Sequence, residues 1–347
     1  MNILIVKLSA IGDVIHTLPA LNTLRKEYPH AHITWLVEEA AADIIRTHPA
    51  LNTIIVSKRK KWIRDIQEGN WIGTIKDIIA FIRTLRSRRY DMVIDFQGLF
   101  KSGILVALCK GNRKIGYDKT REESYRFLTE RILPFDLNQH AILRYLNLLK
   151  ASGVVTASEI TFGVPINNKD RERVYSVLKH HQWNKGDRFI AINPMAKWDT
   201  KLWVPQKFAE LADQIAKKYK ITVVFTGSQQ DREAVQEITS LMQEKGINLS
   251  GKTDLLTLAA LYEKADCLIS TDTGPMHMAA AMGTPVIALF GPTAPWRTGP
   301  FGSGHTIIRT GIPCSPCFQR QCADIACMKD IKVEEVLNAV SRLIHHG

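Results

Sequence analysis

The sequence predicts an α/β architecture of two doubly wound, Rossmann-like domains, and two observations predict it. Short apolar runs of strand length alternate with helix-like segments along nearly the whole chain, the rhythm of successive βαβ units. The residues that interrupt this pattern most sharply, rich in Gly, Asp, Lys and Ser, come directly after apolar runs, where an open parallel sheet gathers its ligands.

The elements follow in order. ILIVKL opens as a strand, residues 14–27 read as a helix, HITWLV as a second strand, a helix lies near Ala40, and LNTIIV is a third strand. An amphipathic helix ending near Arg89, the strand DMVIDF, a helix after Gly98 and the short run KIGY complete the first half. From Phe189 onward, FIAINP, ITVVFTG, CLISTD and VIALFG read as strands, separated by helical stretches at 205–219, 231–243 and 255–265. These runs do not alternate polar with apolar, so they read as strands covered on both faces. The two domains are expected at residues 1–165 and 166–347, joined through the polar stretch 162–187, with the last helix a candidate to return to the first domain.

With 347 residues and 45% hydrophobic content, the chain has room for two cores. No apolar stretch approaches the roughly 20 residues that span a bilayer. The N-terminus enters a strand without the basic region, long apolar core and cleavage site of a secretory signal, so the expectation is a cytoplasmic protein. The 46 Lys and Arg against 34 Asp and Glu leave a charge of +12, which suits a polyanionic partner: nucleic acid, anionic lipid or acidic sugar. Zinc-finger spacing, an RNP-type aromatic signature and a heptad-bearing basic region are all missing, so nothing beyond charge favours nucleic acid.

Four segments carry candidate chemistry. In SAIGDVIHTLPAL, Ser9 and Asp13 stand at a strand-to-helix turn. Asp13 has two readings there: a cap stabilised by the helix dipole, or a carboxylate held at the ligand end of the sheet, where a general base belongs. No GxGxxG follows the strand. In TDTGPMHMAAAMGTPVIALFGPT, Thr273 and Gly274 open a helix with Pro275 in its first turn, leaving free amides for an anion. His277 lies one turn on, and Asp272 at the strand end can accept hydrogen bonds from sugar hydroxyls, whereas the plain reading is a capped core helix with an incidental histidine. In NPMAKWDTKLWVP, Lys201 and its rival Lys197 could stabilise a departing diphosphate or be solvated charges. Asp231, after TGSQQ, could hold a ribose or cap a helix.

Two further segments are more ambiguous. KRKKWIR, at 58–64, has Trp62 interleaved among cations, which suits an acidic headgroup or sugar, though charge runs are usually solvated faces. Cys314, Cys317, Cys322 and Cys327 are separated by two, four and four residues. The first pair resembles a zinc knuckle without the paired halves of a structural zinc site.

Taken together, KLSAIGDVIHTLPAL, LVEE, VIDFQGLFKS, DKTREES, the Lys201-Leu202-Trp203 step and STDTGPMHMAAAMGTPVIALFGPT resemble glycosyltransferase family 9, the bacterial heptosyltransferases of lipopolysaccharide core assembly, nearly end to end. The VEE, the tryptophan-bearing basic run and VIDFQGLFKS most resemble heptosyltransferase I members, which add the first heptose to a Kdo residue of Kdo-lipid A. The cysteine segment is more familiar from heptosyltransferase II-like members. The resemblance implies a GT-B fold, with two Rossmann-like domains facing a central crevice, and an inverting transfer from ADP-L-glycero-β-D-manno-heptose. It implies no cofactor and no metal at the active site. By the same resemblance Asp13 is the catalytic base. Lys201, Thr273, Gly274 and His277 hold the donor phosphates with Lys197 nearby, Asp272 contacts the heptose and Asp231 the ribose. Ser9, Lys61, Arg64, Lys101, Arg121 and Arg144 face the acidic acceptor at the cytoplasmic surface of the inner membrane, to which the enzyme is expected to bind peripherally. Nucleic acid is not an expected partner. A nucleotide-sugar epimerase or hydrolase is the rival chemistry for the same two-domain plan.

Overall fold

A computed structural model describes residues 1–133, 136–156 and 159–345. The chain divides into two compact units, Met1–Pro165 and Ile166–Gly347. Each is built on one six-stranded, wholly parallel sheet.

In the first unit the strands are β1 (Asn2–Val6), β2 (His32–Glu38), β3 (Thr53–Ser57), β4 (Arg89–Asp95), β5 (Lys110–Tyr117) and β6 (Glu130–Ile132). They lie in the order β3-β2-β1-β4-β5-β6. In the second the strands are β7 (Phe189–Asn193), β8 (Thr222–Phe225), β9 (Gly246–Asn248), β10 (Leu268–Thr271), β11 (Val286–Leu289) and β12 (Thr306–Ile308), ordered β12-β11-β10-β7-β8-β9. Counted within each unit this is one topology, 3-2-1-4-5-6, the Rossmann order. Its reversal falls between β1 and β4 in one sheet and between β7 and β10 in the other. Helices cover both faces, so Ile3, Leu4, Ile5 and Val6 of β1 are all fully buried despite being consecutive. The α/β class read from the sequence is the observed one.

Local detail is added or changed in three places. The polar stretch 162–187 contains the boundary between the units, after Pro165, and residues 168–179 within it form the helix Asn168–Lys179. Asn167 caps this helix by accepting from the Lys169 and Asp170 amides. Arg171 then pairs with both Glu263 carboxylate oxygens at 2.7 Å, docking it on the Leu255–Lys264 helix. Its buried face is only Asp170, Val174 and Leu178, too narrow a stripe to announce itself. The basic run 58–64 is likewise structured: the helix Arg59–Gln67 precedes a second helix, Trp71–Leu85. Its Trp62 is 9% exposed and packs edge-on to Phe81 at 5.1 Å, so it belongs to the core and does not interleave surface cations. The short strands β6, β9 and β12, three residues each, carried no readable pattern.

The last helix, Val333–His345, contributes Val336, Ala339 and Val340 to the core of the second unit, against Phe208 and the strands β7, β8, β10 and β11. Trp203 and Lys207 secure the segment before it by donating to the Ile331 carbonyl at 3.2 and 2.8 Å. Phe208 is fully buried and meets Trp203 edge-on at 4.9 Å. Phe208→Ala should cost about 3–5 kcal/mol through lost burial and the cavity left behind, read as a lowered midpoint in chemical denaturation.

Candidate active site

In the first unit, the loops after β1 and β4 meet at the reversal of strand order. Gln97 Oε1 accepts from the Leu8 and Ser9 amides at 3.0 and 3.1 Å, tying the two loops together. Asp95, buried at the end of β4, accepts from the Gln97 and Gly98 amides at 2.9 and 3.2 Å and from the Ser102 hydroxyl at 2.9 Å. Burial raises the Asp95 pKa, and these donors, with the nearby Lys7, pull the other way.

Asp13 sits in the first turn of the helix Ile11–Glu27, and its Oδ2 accepts from the Ala10 amide at 3.1 Å. The capping reading of Asp13 is therefore real, and it fixes the carboxylate at the carboxyl end of β1. Beneath it lies a group the sequence reading passed over. Lys7 is 3% exposed and donates to the Tyr145 hydroxyl at 2.7 Å and the Phe96 carbonyl at 3.1 Å. Tyr145 in turn lies close enough to the Asp13 carboxylate to feel its charge. Burial lowers the Lys7 pKa, while the Asp13 and Asp95 carboxylates favour its charged form. Burial, with the Asp13 charge beside it, drives the Tyr145 phenol well up, so it stays neutral. Asp13 is thus fixed by its own helix start, with the Lys7–Tyr145 pair close by. The lysine of an apolar run such as ILIVKL carries no sign of this, because its partner lies 138 residues away.

The remaining residues of the first unit fall into two groups. Lys101 joins Ser9 to Glu38, donating to the Ser9 hydroxyl at 3.1 Å and the Glu38 carboxylate at 2.8 Å. Arg59 approaches that carboxylate at 3.5 Å. Arg144 lies on the Ala141–Ala151 helix, near enough to Lys7 and Tyr145 to disfavour further positive charge on Lys7. Its buried Nε has no hydrogen-bond partner among the described residues. Ser9, Asp13, Lys101 and Arg144 are accordingly gathered around the end of β1. Arg121 is exposed in the loop between β5 and β6. Lys61 and Arg64 instead pair with acids close by: Lys61 with Asp65 and Asp77 at 3.4 and 3.8 Å, Arg64 with Glu68 and Asp65 at 3.9 and 4.0 Å.

In the second unit the reversal between β7 and β10 is again where the unusual residues converge. The loop after β7 supplies Lys201, Asp272 directly follows β10, and the loop after β11 supplies Thr293. Lys201 Nζ and the Thr293 hydroxyl both reach Asp272 Oδ2 at 2.6 Å, and Lys201 also donates to the Asp272 carbonyl at 3.3 Å. Both side chains are largely buried, at 15% and 6% exposure. The Trp198 ring lies 4.5 Å from Lys201 Nζ and 4.9 Å from the Arg320 guanidinium. Trp198, Thr293 and Arg320 were not among the expected residues, since only folding brings their three loops together.

The helix Gly274–Ala281 starts immediately beyond this cluster, with Thr273 as N-cap and Pro275 in the first turn. Its leading amides lack intrahelical acceptors, and its dipole favours an anion there. His277 is buried on this helix. Lys197 is exposed on the same loop as Lys201. Asp231 accepts from the Ser228 amide and hydroxyl through Oδ2, both at 2.7 Å, closing the turn after β8. The cysteines are unpaired: Cys314 and Cys322 exposed, Cys317 half-buried, Cys327 buried. Among the described residues no three His, Cys, Asp or Glu side chains are grouped to hold a metal ion.

A largely buried lysine–aspartate pair thus stands at a helix start in the second Rossmann unit. The sequence model of "Glycosyltransferase family 9 (heptosyltransferase)" matches residues 78–326, which spans most of the chain. This chain belongs to glycosyltransferase family 9. It is 28% identical over 309 residues to the lipopolysaccharide core heptosyltransferase OpsX of Haemophilus influenzae, covering 88% of this chain and 83% of the relative. It is 29% identical over 332 residues to lipopolysaccharide heptosyltransferase 1 of Pseudomonas aeruginosa, covering 93% and 87%. A solved family 9 glycosyltransferase from Veillonella parvula superposes with a TM-score of 0.84 at 26% identity, over 100% of this chain and 98% of that one. The GT-B class and the glycosyltransferase activity expected from the sequence are thereby established, and the epimerase reading gives way.

In this glycosyltransferase the Lys201–Asp272 pair is a largely buried ion pair of the second unit. Losing one partner of such a pair leaves the other uncompensated, at a cost of about 3–5 kcal/mol when fully buried. Lys201→Met should therefore lower both thermal stability and turnover. The double variant Lys201→Met with Asp272→Asn should regain most of the stability while turnover stays down, as measured by thermal denaturation beside an ADP-release assay.

Proposed function

We propose that this glycosyltransferase moves L-glycero-D-manno-heptose from ADP-heptose onto a Kdo residue of Kdo-lipid A, with inversion, in assembly of the lipopolysaccharide inner core. The observation that carries the reading is the Lys201–Asp272–Thr293 cluster at the start of the Gly274–Ala281 helix. A fixed cation beside free helix amides offers a departing diphosphate what a metal ion would otherwise supply. Lys201 and the Thr273 and Gly274 amides take the phosphates, with His277 and Lys197 around them. Asp272, oriented by Lys201 and Thr293, accepts from heptose hydroxyls, and Asp231 lies toward the ribose.

Asp13 removes the proton from the attacking hydroxyl. Inverting transfer passes through an oxocarbenium-like state, so a carboxylate of modest basicity suffices. The Lys7–Tyr145 pair beside it would help to position the groups around the attacking hydroxyl. Lys101, Arg144, Arg121 and Ser9 provide cations and a hydroxyl for an acidic acceptor, with Lys61 and Arg64 farther along the basic surface. VEE and VIDFQGLFKS, which resemble heptosyltransferase I members, favour Kdo over heptose as acceptor, whereas the cysteine segment favours heptose. No helix among the described residues is long and apolar enough to cross a membrane; a lipid acceptor would be met at a membrane surface.

Incubation with ADP-heptose and Kdo-lipid A should release ADP and add the mass of one heptose to the acceptor. Addition only to an already heptosylated acceptor would assign the heptose-to-heptose reaction instead. Asp13→Asn should lower turnover by roughly 10²-fold or more with donor affinity little changed. Near-normal turnover would return Asp13 to a capping role alone. Activity should also persist in a chelator, and loss that added metal restores would count against a metal-free diphosphate site.

A further inference from the structure

The helix Trp71–Leu85 carries an apolar stripe on its solvent side that the fold does not use. Its buried face is formed by Thr74, Phe81 and Leu85. Trp71, Ile72, Ile75 and Ile79 are nevertheless 60%, 75%, 51% and 43% exposed. They recur at spacings of one, three and four residues, so they form one continuous strip two turns long. Single exposed hydrophobes are ordinary, but a contiguous strip of three isoleucines and a tryptophan marks an interaction surface.

The charge around the strip identifies what covers it. Lys76 follows Ile72 by four residues and Arg83 follows Ile79 by four, so each cation lies one turn beyond an isoleucine along the edge of the strip. Neither makes an ion pair among the described residues. Between Lys58 and Arg86 there are eight Lys and Arg against three Asp and Glu. The adjoining helix Arg59–Gln67 adds Ile63, 45% exposed, and the exposed Lys60 and Arg64. A strip of Trp and Ile edged with Lys and Arg has the composition of a helix lying in the plane of a bilayer interface, its apolar face among acyl chains and its cations at anionic headgroups.

We propose that the Trp71–Leu85 helix docks this protein on anionic lipid bilayers, inserting Trp71, Ile72, Ile75 and Ile79 at the interface with Lys76 and Arg83 against the headgroups. This deepens the lipid-acceptor reading and rests on it for purpose, but the docking is measurable without any transfer reaction. The strip lies outside the Asp13 and Lys201 clusters, so its removal spares the catalytic groups.

The test is co-sedimentation with vesicles of phosphatidylethanolamine and phosphatidylglycerol at 3:1, against vesicles of phosphatidylcholine alone. The full chain should partition onto the anionic vesicles preferentially and less at high salt. Trp71→Ser/Ile72→Ser/Ile75→Ser, all exposed positions, should fold as the parent does and lose partitioning by about tenfold or more. Lys76→Gln/Arg83→Gln should lose mainly the preference for anionic lipid. With acceptor embedded in vesicles the triple variant should be slowed, while its activity on deacylated, water-soluble acceptor matches the parent. Equal partitioning of parent and triple variant would overturn the proposal. So would a dimer of the parent in solution that the triple variant abolishes, since the strip would then join two copies. If the acceptor assignment alone is wrong, neither protein transfers sugar and the difference in vesicle binding remains.

Discussion

A parallel sheet has one end at which every strand finishes, and in the 3-2-1-4-5-6 order the connections leave that end in opposite directions on either side of the central pair. The loops after β1 and β4, and after β7 and β10, are thereby parted, and the backbone groups at the parting need side-chain partners. Gln97 and Asp95 meet that need in the first unit, and in the second Lys201 and Thr293 converge on Asp272. The side chains that close the sheet are neighbours of the candidate functional residues, so structural and candidate chemical roles fall on the same few positions.

That sharing explains why single-role descriptions fail at these sites. Asp13 satisfies the Ala10 amide and remains a carboxylate at the end of β1. Asp272 is oriented by Lys201 and Thr293 through one oxygen. Buried Lys7 would be costly alone, but its bonds to Tyr145 and Phe96 satisfy it and place a positive charge under Asp13. Residues of this kind keep their geometry because the core below them is close-packed, with consecutive β1 residues fully buried.

The two units differ in what they place around this common frame. The first surrounds the end of β1 with Lys101, Arg144 and Ser9 and carries most of an exposed basic and apolar surface on the helices Arg59–Gln67 and Trp71–Leu85. The second concentrates its charge in one buried pair and a helix start. A broad basic surface suits extended anionic partners and a dry, enclosed cation suits a compact one, so the two units offer different kinds of electrostatic environment.

What the sequence determined by itself was whatever depends on local pattern. Continuous apolar runs such as ILIV and VIALF could only be covered strands, and Thr273, Gly274 and Pro275 announced a helix start, because strand burial and capping are written within a few adjacent residues. Asp272 directly follows its strand, and Asp13 and Lys201 stand in the segments that follow theirs, which is why the sequence singles them out as candidates. The short strands β6, β9 and β12 and the helix Asn168–Lys179 were not legible, because three-residue strands and a stripe of three buried residues show no period. Only the tertiary structure decided the partners: Lys7 with Tyr145, Asp272 with Thr293, Trp198 with Arg320, and Trp62 inside rather than on the surface. These contacts join residues from 19 to 138 positions apart, and a contact across that separation is set by how the sheets bring loops together, which no window of sequence records.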